Sequence, residues 1–349
     1  MTIQVENYII GPENEPFIIA ELSGNHNGSL ERALQIVDMV ADSGAHAIKL
    51  QTYTPDTMTL NIVDNEFFIR DLNSPWKGKS LYKLYEEAHT PWEWHKPIFE
   101  RSRKHGLVAF SSAFDLTAVD FLESLDVPIY KIASAELVDL NLICRVAQTK
   151  KPIIISTGMA SIAEIHEAVE IARLNGCPHI ILLKCTATYP ANPKESNLNS
   201  IPVIRDVFGV QVGLSDHTLG IGAAIASIAM GATVIEKHVT LSRTDGGVDS
   251  MFSLEPHELK LLVSEAKNAH IAMGNAYIGP TASELDSLKF RRSLYAVDKI
   301  KAGERFTEKN VRAIRPGKGL LPKNIKVILG RKAIKDIERG TPIDWKLID

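Results

Sequence analysis

Two histidines are candidate metal ligands, because each lies near the end of one of two successive strand-like runs. His217 follows one short apolar run, and His238 lies 21 residues later within the next. Adjacent strands would place the two neutral imidazoles side by side, where they supply half of the ligands of a divalent ion such as Mn or Mg. The open positions would take water and substrate, as suits a Lewis acid. A hydrogen-bonded pair of histidines without metal is the alternative, and Glu236 is a candidate partner for His238.

Two lysines, Lys49 and Lys131, interrupt apolar runs that otherwise have the composition of buried strands. A buried ammonium group without a partner is costly, so each lysine needs an anion. Hydroxyl and amide side chains stand at the ends of similar runs: Gln51, Ser112, Ser134, Ser156 and Ser215. With the backbone donors of the Ser-Thr-Gly turn at 156–158, this set suits a phosphate and a carboxylate. The rival interpretation is a Schiff-base lysine, Lys131 or Lys184, as in imine-forming aldolases that usually need no metal.

These side chains follow eight short strand-like runs that alternate with helical patterns. The runs span 16–22, 47–52, 107–113, 129–134, 152–158, 179–186, 210–216 and 234–240. Such alternation implies parallel strands joined by right-handed crossovers, and eight units favour a closed (β/α)8 TIM barrel over an open sheet. The carboxyl ends of the strands form the mouth of a barrel, where barrel enzymes keep their active sites. Glu21, near the end of the first run, therefore joins the candidate set.

Residues 53–90 form a long polar and aromatic interval between the second strand and its helix. Loops of this length in a compact domain are usually functional. The interval follows a strand, so we expect it to lie at the barrel mouth and to carry part of the function.

The last part of the chain repeats itself. Two segments align at a constant offset of 37 residues, which matches Ala296 with Ala333, Ile300 with Ile337, Gly303 with Gly340 and Phe306 with Ile343. A pseudo-symmetric module of fewer than 60 residues is expected to have little core of its own and to rely on docking. The predicted organisation is therefore a barrel over 1–275, a linker over 276–292 and a small domain over 293–349.

The chain has 349 residues, of which 45% are hydrophobic and 23% charged, as in ordinary globular proteins. Its net charge of -3 is unevenly divided, with -12 on residues 1–290 and +9 on residues 291–349. The basic segment has no stacked aromatics, zinc-ligand spacing or zipper heptads, which argues against nucleic-acid binding. We expect it to pack against an acidic body, in the same or a neighbouring chain, and to present cations to an anionic ligand.

No stretch approaches the roughly 18 apolar residues of a membrane span, and the amino terminus lacks the order of a signal peptide. A cytoplasmic location without a membrane partner is the expectation. The three cysteines, Cys144, Cys177 and Cys185, form an odd, unpatterned set. They are interpreted as reduced thiols rather than as disulfides or zinc ligands.

Seven ordered segments make the chain recognisable along nearly its whole length. They are AELSGNHNG (20–28), IKLQTY (48–53), YKIASAE (130–136), STGMAS (156–161), KCTATYP (184–190), GLSDHT (213–218) and EKHVT (236–240). Together they resemble the sialic acid synthase family, and the terminal unit, with IRPGKG at 314–319, looks like that family's antifreeze-like (SAF) domain. The segments at 22–27, 84–95, 119–126 and 241–256 are most similar to the branch that makes pseudaminic acid.

The resemblance implies a metal-dependent condensation of phosphoenolpyruvate with 2,4-diacetamido-2,4,6-trideoxy-L-altrose, which yields a nine-carbon 2-keto acid and phosphate. By similarity, His217 and His238 would bind the Mn or Mg ion, and Glu21 would manage protons or orient the aldehyde. Tyr189 and Asp249 would contact the sugar. The residues expected at phosphoenolpyruvate are Lys49, Gln51, Ser112, Lys131, Ser134, Ser156 and Ser215.

The resemblance also implies a homodimer in which Arg315, from the terminal domain of one subunit, caps the neighbouring active site. The sequence departs from the sialate enzymes at Ala187, where they carry an asparagine, and over 77–91. Both changes argue against N-acetylmannosamine as acceptor and favour a less polar pocket, for which the candidates are Tyr53, Phe67, Phe68 and Trp76. The alternatives are N-acetylneuraminate or legionaminate synthesis from a manno-configured sugar, an imine-forming barrel aldolase, and a non-catalytic carbohydrate-binding protein.

Overall fold

The computed structural model describes residues 2–72 and 74–349. The chain divides into two compact units, 1–274 and 275–349. In the first unit, eight parallel strands close into a barrel in which β10 pairs with both β9 and β3. The barrel strands are β3 (Phe17–Glu21), β4 (Ala47–Thr52), β5 (Val108–Ala113), β6 (Tyr130–Ile132), β7 (Ile153–Ser156), β8 (Ile180–Cys185), β9 (Gln211–Ser215) and β10 (Val234–His238). The predicted TIM barrel and all eight of its strands are confirmed.

A hairpin of two short strands, β1 (Ile3–Val5) and β2 (Tyr8–Ile10), precedes the barrel and was not predicted. Three-residue strands are too short for alternation to reveal them.

Helices follow the barrel strands as expected of (β/α) units. The first helix begins after Ser29, whose hydroxyl accepts from the backbone of Arg32, and ends at Gly44 in the left-handed conformation. The helices of the first unit are α1 (Leu30–Ser43), α2 (Pro55–Met58), α3 (Leu81–Ala88), α4 (Trp92–Lys104), α5 (Leu116–Ser124), α6 (Leu140–Ala147), α7 (Ile162–Leu174), α8 (Ser200–Phe208), α9 (Gly222–Ala229) and α10 (Pro256–Met273). The long interval 53–90 is thus partly helical, since it contains α2, α3 and a 3-10 turn at Asn65–Phe67.

The second unit contains β11 (Ser293–Ala296), β12 (Val311–Ile314) and α11 (Ile325–Ile328), and its own small core. The internal repeat is a structural one, because Ile300 and Ile337 exchange backbone hydrogen bonds of 2.9 and 2.8 Å. The paired glycines adopt matching left-handed conformations, with φ of 79° at Gly303 and 88° at Gly340. A side chain is disfavoured at such a φ, which explains why glycine recurs at that offset. A 3-10 helix, Ala282–Phe290, occupies much of the predicted linker.

Within the described residues, no helix is both long and apolar enough to cross a membrane. The three cysteines are free thiols, as predicted.

Candidate functional site

Strand register brings the predicted side chains of the first unit to one level at the barrel mouth. In parallel strands, residues that are Cα partners lie next to each other across the ladder. The partners are His238 with Glu21, Glu21 with Lys49, Gln51 with Ser112, Ser112 with Lys131, and Glu236 with Ser215. Most of the predicted site is therefore assembled by sheet geometry.

A buried ion network joins β3, β4 and β10. The Lys49 ammonium contacts Oε2 of Glu21 directly and lies 3.8 Å from Oε1 of Glu236. It also donates to Oγ of Ser112 at 3.2 Å, while the Gln51 amide donates to Oε1 of Glu21 at 3.0 Å. Glu21, Lys49 and Glu236 are all buried. Charges persist in such an interior because they are paired and hydrogen-bonded.

The two carboxyl groups of this network have opposite pKa shifts. Burial raises the pKa of Glu21 to about 7, Lys49 opposes the rise, and the charge of Glu236 adds to it. Burial would also raise the pKa of Glu236, but Lys131 and Lys49 outweigh it and lower that pKa. Glu21 is thus the carboxyl group that can hold or release a proton near neutral pH, whereas Glu236 stays ionised.

Lys131 is the less well compensated of the two buried lysines. Its ammonium donates to the carbonyl of Ile132 at 3.0 Å, and within the described residues no carboxylate oxygen lies within 4.0 Å of it. Burial lowers the pKa of Lys131, an effect that Glu236 partly opposes and Lys49 strengthens. A buried ammonium group without a nearby carboxylate is stabilised when an anion binds to it.

Serine hydroxyl groups lie at or just after the carboxyl ends of β6, β7 and β9, and not all of them have a hydrogen-bond partner. Ser215 donates to Oε1 of Glu236 at 3.2 Å, and Ser134 accepts from the backbone of Gly158 at 3.0 Å. The hydroxyl of Ser156 is buried and has no hydrogen-bond partner among the described residues. A buried hydroxyl without a partner is costly, so a ligand oxygen that accepted its hydrogen bond would be stabilised here.

The two predicted metal ligands lie face to edge with ring centroids 5.4 Å apart. The Nδ1 of His217 is 3.0 Å from the carbonyl of Thr186, which orients that ring. The Nδ1 of His238 is buried without a hydrogen bond and lies 3.6 Å from Oδ2 of Asp249. Burial holds the pKa of His238 well below its usual value, so the ring is neutral. Burial would lower the pKa of His217, but interaction with Cys185 raises that pKa. Two adjacent imidazoles beside a carboxylate are suitable donors for a divalent cation once both rings are deprotonated.

Another cluster of possible metal ligands lies outside the barrel. Among the described residues it comprises Glu255, His257 and Glu258. Arg243 forms ion pairs with both carboxylates, at 3.4 and 2.5 Å, and so already compensates their charge.

Aromatic rings form one wall beside the histidines. The ring of Tyr189 lies 4.4 Å from that of His217, 5.2 Å from Phe252 and 5.7 Å from Trp76, measured between centroids. The indole N–H of Trp76 donates to the carbonyl of Val248 at 2.8 Å, which fixes the interval 53–90 beside Asp249. Of the aromatic residues suggested by the sequence, Trp76 is the one that packs against Tyr189.

Tyr53 is buried against Tyr85 and Phe114, at 5.7 and 5.2 Å between ring centroids. Phe68 is partly exposed and lies beneath the guanidinium of Arg70, at 5.8 Å.

Three further positions complete the outcome for the sequence-based candidates. Phe67 is partly exposed within its 3-10 turn. Ala187 lies close to Ser134, because a Cβ added at Gly158 would meet both side chains, at 2.7 Å from Oγ and 3.1 Å from Cβ respectively. Arg315 belongs to the second unit, where it is exposed and follows β12.

Sequence reasoning missed two features of this site. Glu236 was considered as a partner of His238, but it contacts Lys49 and Ser215 instead. Ser23, whose hydroxyl donates to Asp249, was not singled out. A serine in a turn directly after a strand gives no signal of a partner 226 residues away.

Comparison with known families matches residues 36–277 to the NeuB family and residues 291–349 to the SAF domain. The chain is 44% identical to the pseudaminic acid synthase of Campylobacter jejuni over 338 residues, which covers 97% of each chain. It is 43% identical to the pseudaminic acid synthase of Helicobacter pylori, over 94% of this chain and 96% of that one.

Among solved structures, the fold is similar to the N-acetylneuraminic acid synthetase of Leptospira borgpetersenii, crystallised in complex with citrate. The TM-score is 0.74 at 33% identity, and the match covers 82% of this chain and 95% of that chain.

Proposed function

The chain belongs to the NeuB family, and from that premise we propose that it is a pseudaminic acid synthase. The reaction is the condensation of phosphoenolpyruvate with 2,4-diacetamido-2,4,6-trideoxy-L-altrose and water, which gives a nine-carbon 2-keto acid and phosphate. The level of identity to two pseudaminic acid synthases over nearly the whole chain supports this activity. The homologues of that kind are enzymes, and the alternative of a non-catalytic sugar-binding protein is abandoned.

The proposal rests on two buried groups that lack a partner on neighbouring strands, the undercompensated ammonium of Lys131 in β6 and the unpaired hydroxyl of Ser156 in β7. Phosphoenolpyruvate brings a phosphate and a carboxylate, which would supply the missing anion and accept hydrogen bonds from the serines. Lys49 and Lys131 would hold the two anionic groups, with the hydroxyls of Ser112, Ser134, Ser156 and Ser215 around them.

Our proposal includes a divalent cation, Mn or Mg, held by His217 and His238. The adjacency of the two rings, the neutral state of His238 and its unpaired Nδ1 support it. Such an ion polarises the aldehyde of the acceptor when it is bound. The site has no third protein ligand within the described residues beyond the nearby Asp249, which leaves positions for substrate oxygens.

The residues of the chain then account for the remaining steps. Held by the lysines, phosphoenolpyruvate presents C3 to the aldehyde carbon, and a C–C bond forms while its C2 becomes cationic. Glu21, with a pKa of about 7, can donate a proton to the aldehyde oxygen. Water adds at C2 and returns one proton to Glu21. The tetrahedral adduct then expels phosphate by cleavage of the bond between C2 and oxygen, and the proton of its new hydroxyl leaves with the phosphate. Ionised Glu236 stabilises the ammonium groups throughout.

For the acceptor, we propose a pocket between Asp249 and the aromatic wall of Tyr189, Trp76 and Phe252. A 6-deoxy sugar carries a methyl group, and burying that group against an indole and a phenol ring is more favourable than leaving it in water. Asp249 would accept a hydrogen bond from a sugar hydroxyl or amide.

We further propose that the protein acts as a homodimer in which Arg315 of one subunit caps the barrel of the other. The net charges of -12 on residues 1–290 and +9 on residues 291–349 favour such an association between subunits. The exposed position of Arg315 is consistent with a role toward a neighbouring chain.

Phosphate release tests the activity directly. The purified enzyme, supplied with Mn or Mg, is given phosphoenolpyruvate and one of the altro, gulo or manno diacetamido sugars or N-acetylmannosamine. We expect release that depends on both acceptor and metal and is fastest with the altro sugar. His217→Ala and His238→Ala should abolish release, while His166→Ala, which alters an exposed helix position, should not.

Preference for a manno sugar would assign the chain to the N-acetylneuraminate or legionaminate chemistry instead. Release that survives excess chelator, or inactivation by borohydride in the presence of a keto substrate, would contradict the mechanism and favour an imine-forming aldolase.

A further inference from the structure

Ser23 is held in an unfavourable backbone conformation at the barrel mouth. It lies two residues after the end of β3, is buried, and has a φ of 48°. In this left-handed region the backbone conformation of a residue with a Cβ atom is less favourable by about 1 kcal/mol, whereas glycine has no such cost. The side chain at this position must therefore do something that glycine could not.

What the Ser23 side chain does is bind Asp249. Its hydroxyl donates to Oδ2 of the carboxylate, the same oxygen that lies 3.6 Å from Nδ1 of His238. Among the described residues, Oδ1 has no hydrogen-bond partner. Because the terminal torsion of an aspartate is broad, one fixed donor on Oδ2 decides where Oδ1 points.

Other residues already hold the backbone around Asp249. The Asn25 amide donates to the carbonyl of Val239 at 2.9 Å and to Oγ of Ser253 at 2.8 Å. The Ser253 hydroxyl in turn donates to the carbonyl of Asp249 at 2.7 Å. The contribution of Ser23 is thus to the direction of the carboxylate and not to the course of the loop.

We propose that Ser23 is a positioning residue that aims the free carboxylate oxygen of Asp249 at the acceptor sugar. The inference rests on the proposed function, in which Asp249 contacts that sugar. It assigns to Ser23 no contact with phosphoenolpyruvate, which in the proposed function is held by Lys49 and Lys131.

The test compares Ser23→Gly and Ser23→Ala. Both variants lose the hydroxyl, but only Ser23→Gly also relieves the backbone, so it should unfold at the same or a higher temperature than the wild type. We expect both variants to raise KM for the diacetamido sugar about tenfold, the value of one hydrogen bond to a charged group. KM for phosphoenolpyruvate should change less than twofold. Asp126→Gly is the matched control, since Asp126 also has a positive φ, of 53°, but follows α5 at the opposite end of the barrel.

The outcomes separate this inference from its premise. Absence of acceptor-dependent phosphate release by the wild type would remove the proposed function and the inference with it. An active wild type whose Ser23→Gly variant keeps its KM for the sugar would overturn the role of Ser23 alone. Equal rises in both KM values, or a fall in Tm for Ser23→Gly, would show a structural role and equally overturn it.

Discussion

Replacing Lys131 with methionine should stabilise the ligand-free barrel and at the same time abolish its function. Lys131 is 2% exposed, and the described residues place no carboxylate within 4.0 Å of its ammonium. Methionine has a similar length and no charge to desolvate. The change removes the desolvation cost of the ammonium. Glu236 loses the charge that does most to keep it ionised but retains Lys49, so we expect a net rise of about 1–3 kcal/mol in the free energy of unfolding. In a unit of this size that raises Tm by about 2–6 °C.

The neighbouring lysine should behave in the opposite way. Lys49→Met removes the direct partner of Glu21, and breaking a buried pair costs about 3–5 kcal/mol. Lys260→Met, on the exposed face of α10, should change the free energy of unfolding by less than about 0.5 kcal/mol.

Thermal unfolding after dialysis against a chelator, with and without phosphoenolpyruvate, provides the measurement. For the wild type, phosphoenolpyruvate at 100 times its Kd should add about 2.7 kcal/mol of stability. Lys131→Met should show no such shift. A Lys131→Met protein that is destabilised as strongly as Lys49→Met, or that keeps the full shift with phosphoenolpyruvate, would refute the interpretation of Lys131 as a charge awaiting its anion.

Two further predictions concern the acceptor and the second unit. Trp76→Ala should raise KM for the 6-deoxy sugar about tenfold through lost apolar contact and leave KM for phosphoenolpyruvate unchanged. Steady-state kinetics measure both constants, and equal rises in the two would refute the prediction. Arg315→Ala should lower the rate of acceptor-dependent phosphate release, while the Tm of the barrel stays unchanged. Mixing Arg315→Ala with His217→Ala should restore activity if subunits share sites, and no restoration after proven subunit exchange would exclude the capped homodimer.

The barrel was predictable because its signals are local and repeated. Most of the strands are rich in β-branched residues and have a polar side chain near the carboxyl end. Their alternation with helices leaves few topologies. The register of the ladder then follows, so that Lys49 next to Glu21 is a consequence of strand order. The same logic reached Ser112 and Lys131 without any knowledge of the fold.

The choice of partner between side chains inside the barrel, and the contacts between loops, were not predictable in this way. Nothing in the local sequence around Glu236 decides between Lys49 and His238 as its partner, since all three face the interior of the same barrel. The choice depends on side-chain length and on the tilt of the strands. Likewise, the value of Ser23 appears only once its φ and its distant partner are known.

Three loops contact one another at the proposed acceptor pocket. The loop after β3 contributes Ser23 and also Gly24, where a Cβ would lie 2.4 Å from Cγ2 of Val248. Val248, in the loop after β10, in turn offers its carbonyl to Trp76 from the interval after β4. Exchange of any one loop for that of a relative would therefore leave a clash or an unpaired group at Asp249 or Trp76. Because each loop packs against or hydrogen-bonds to the others, we expect that a change of acceptor requires replacement of all three loops together.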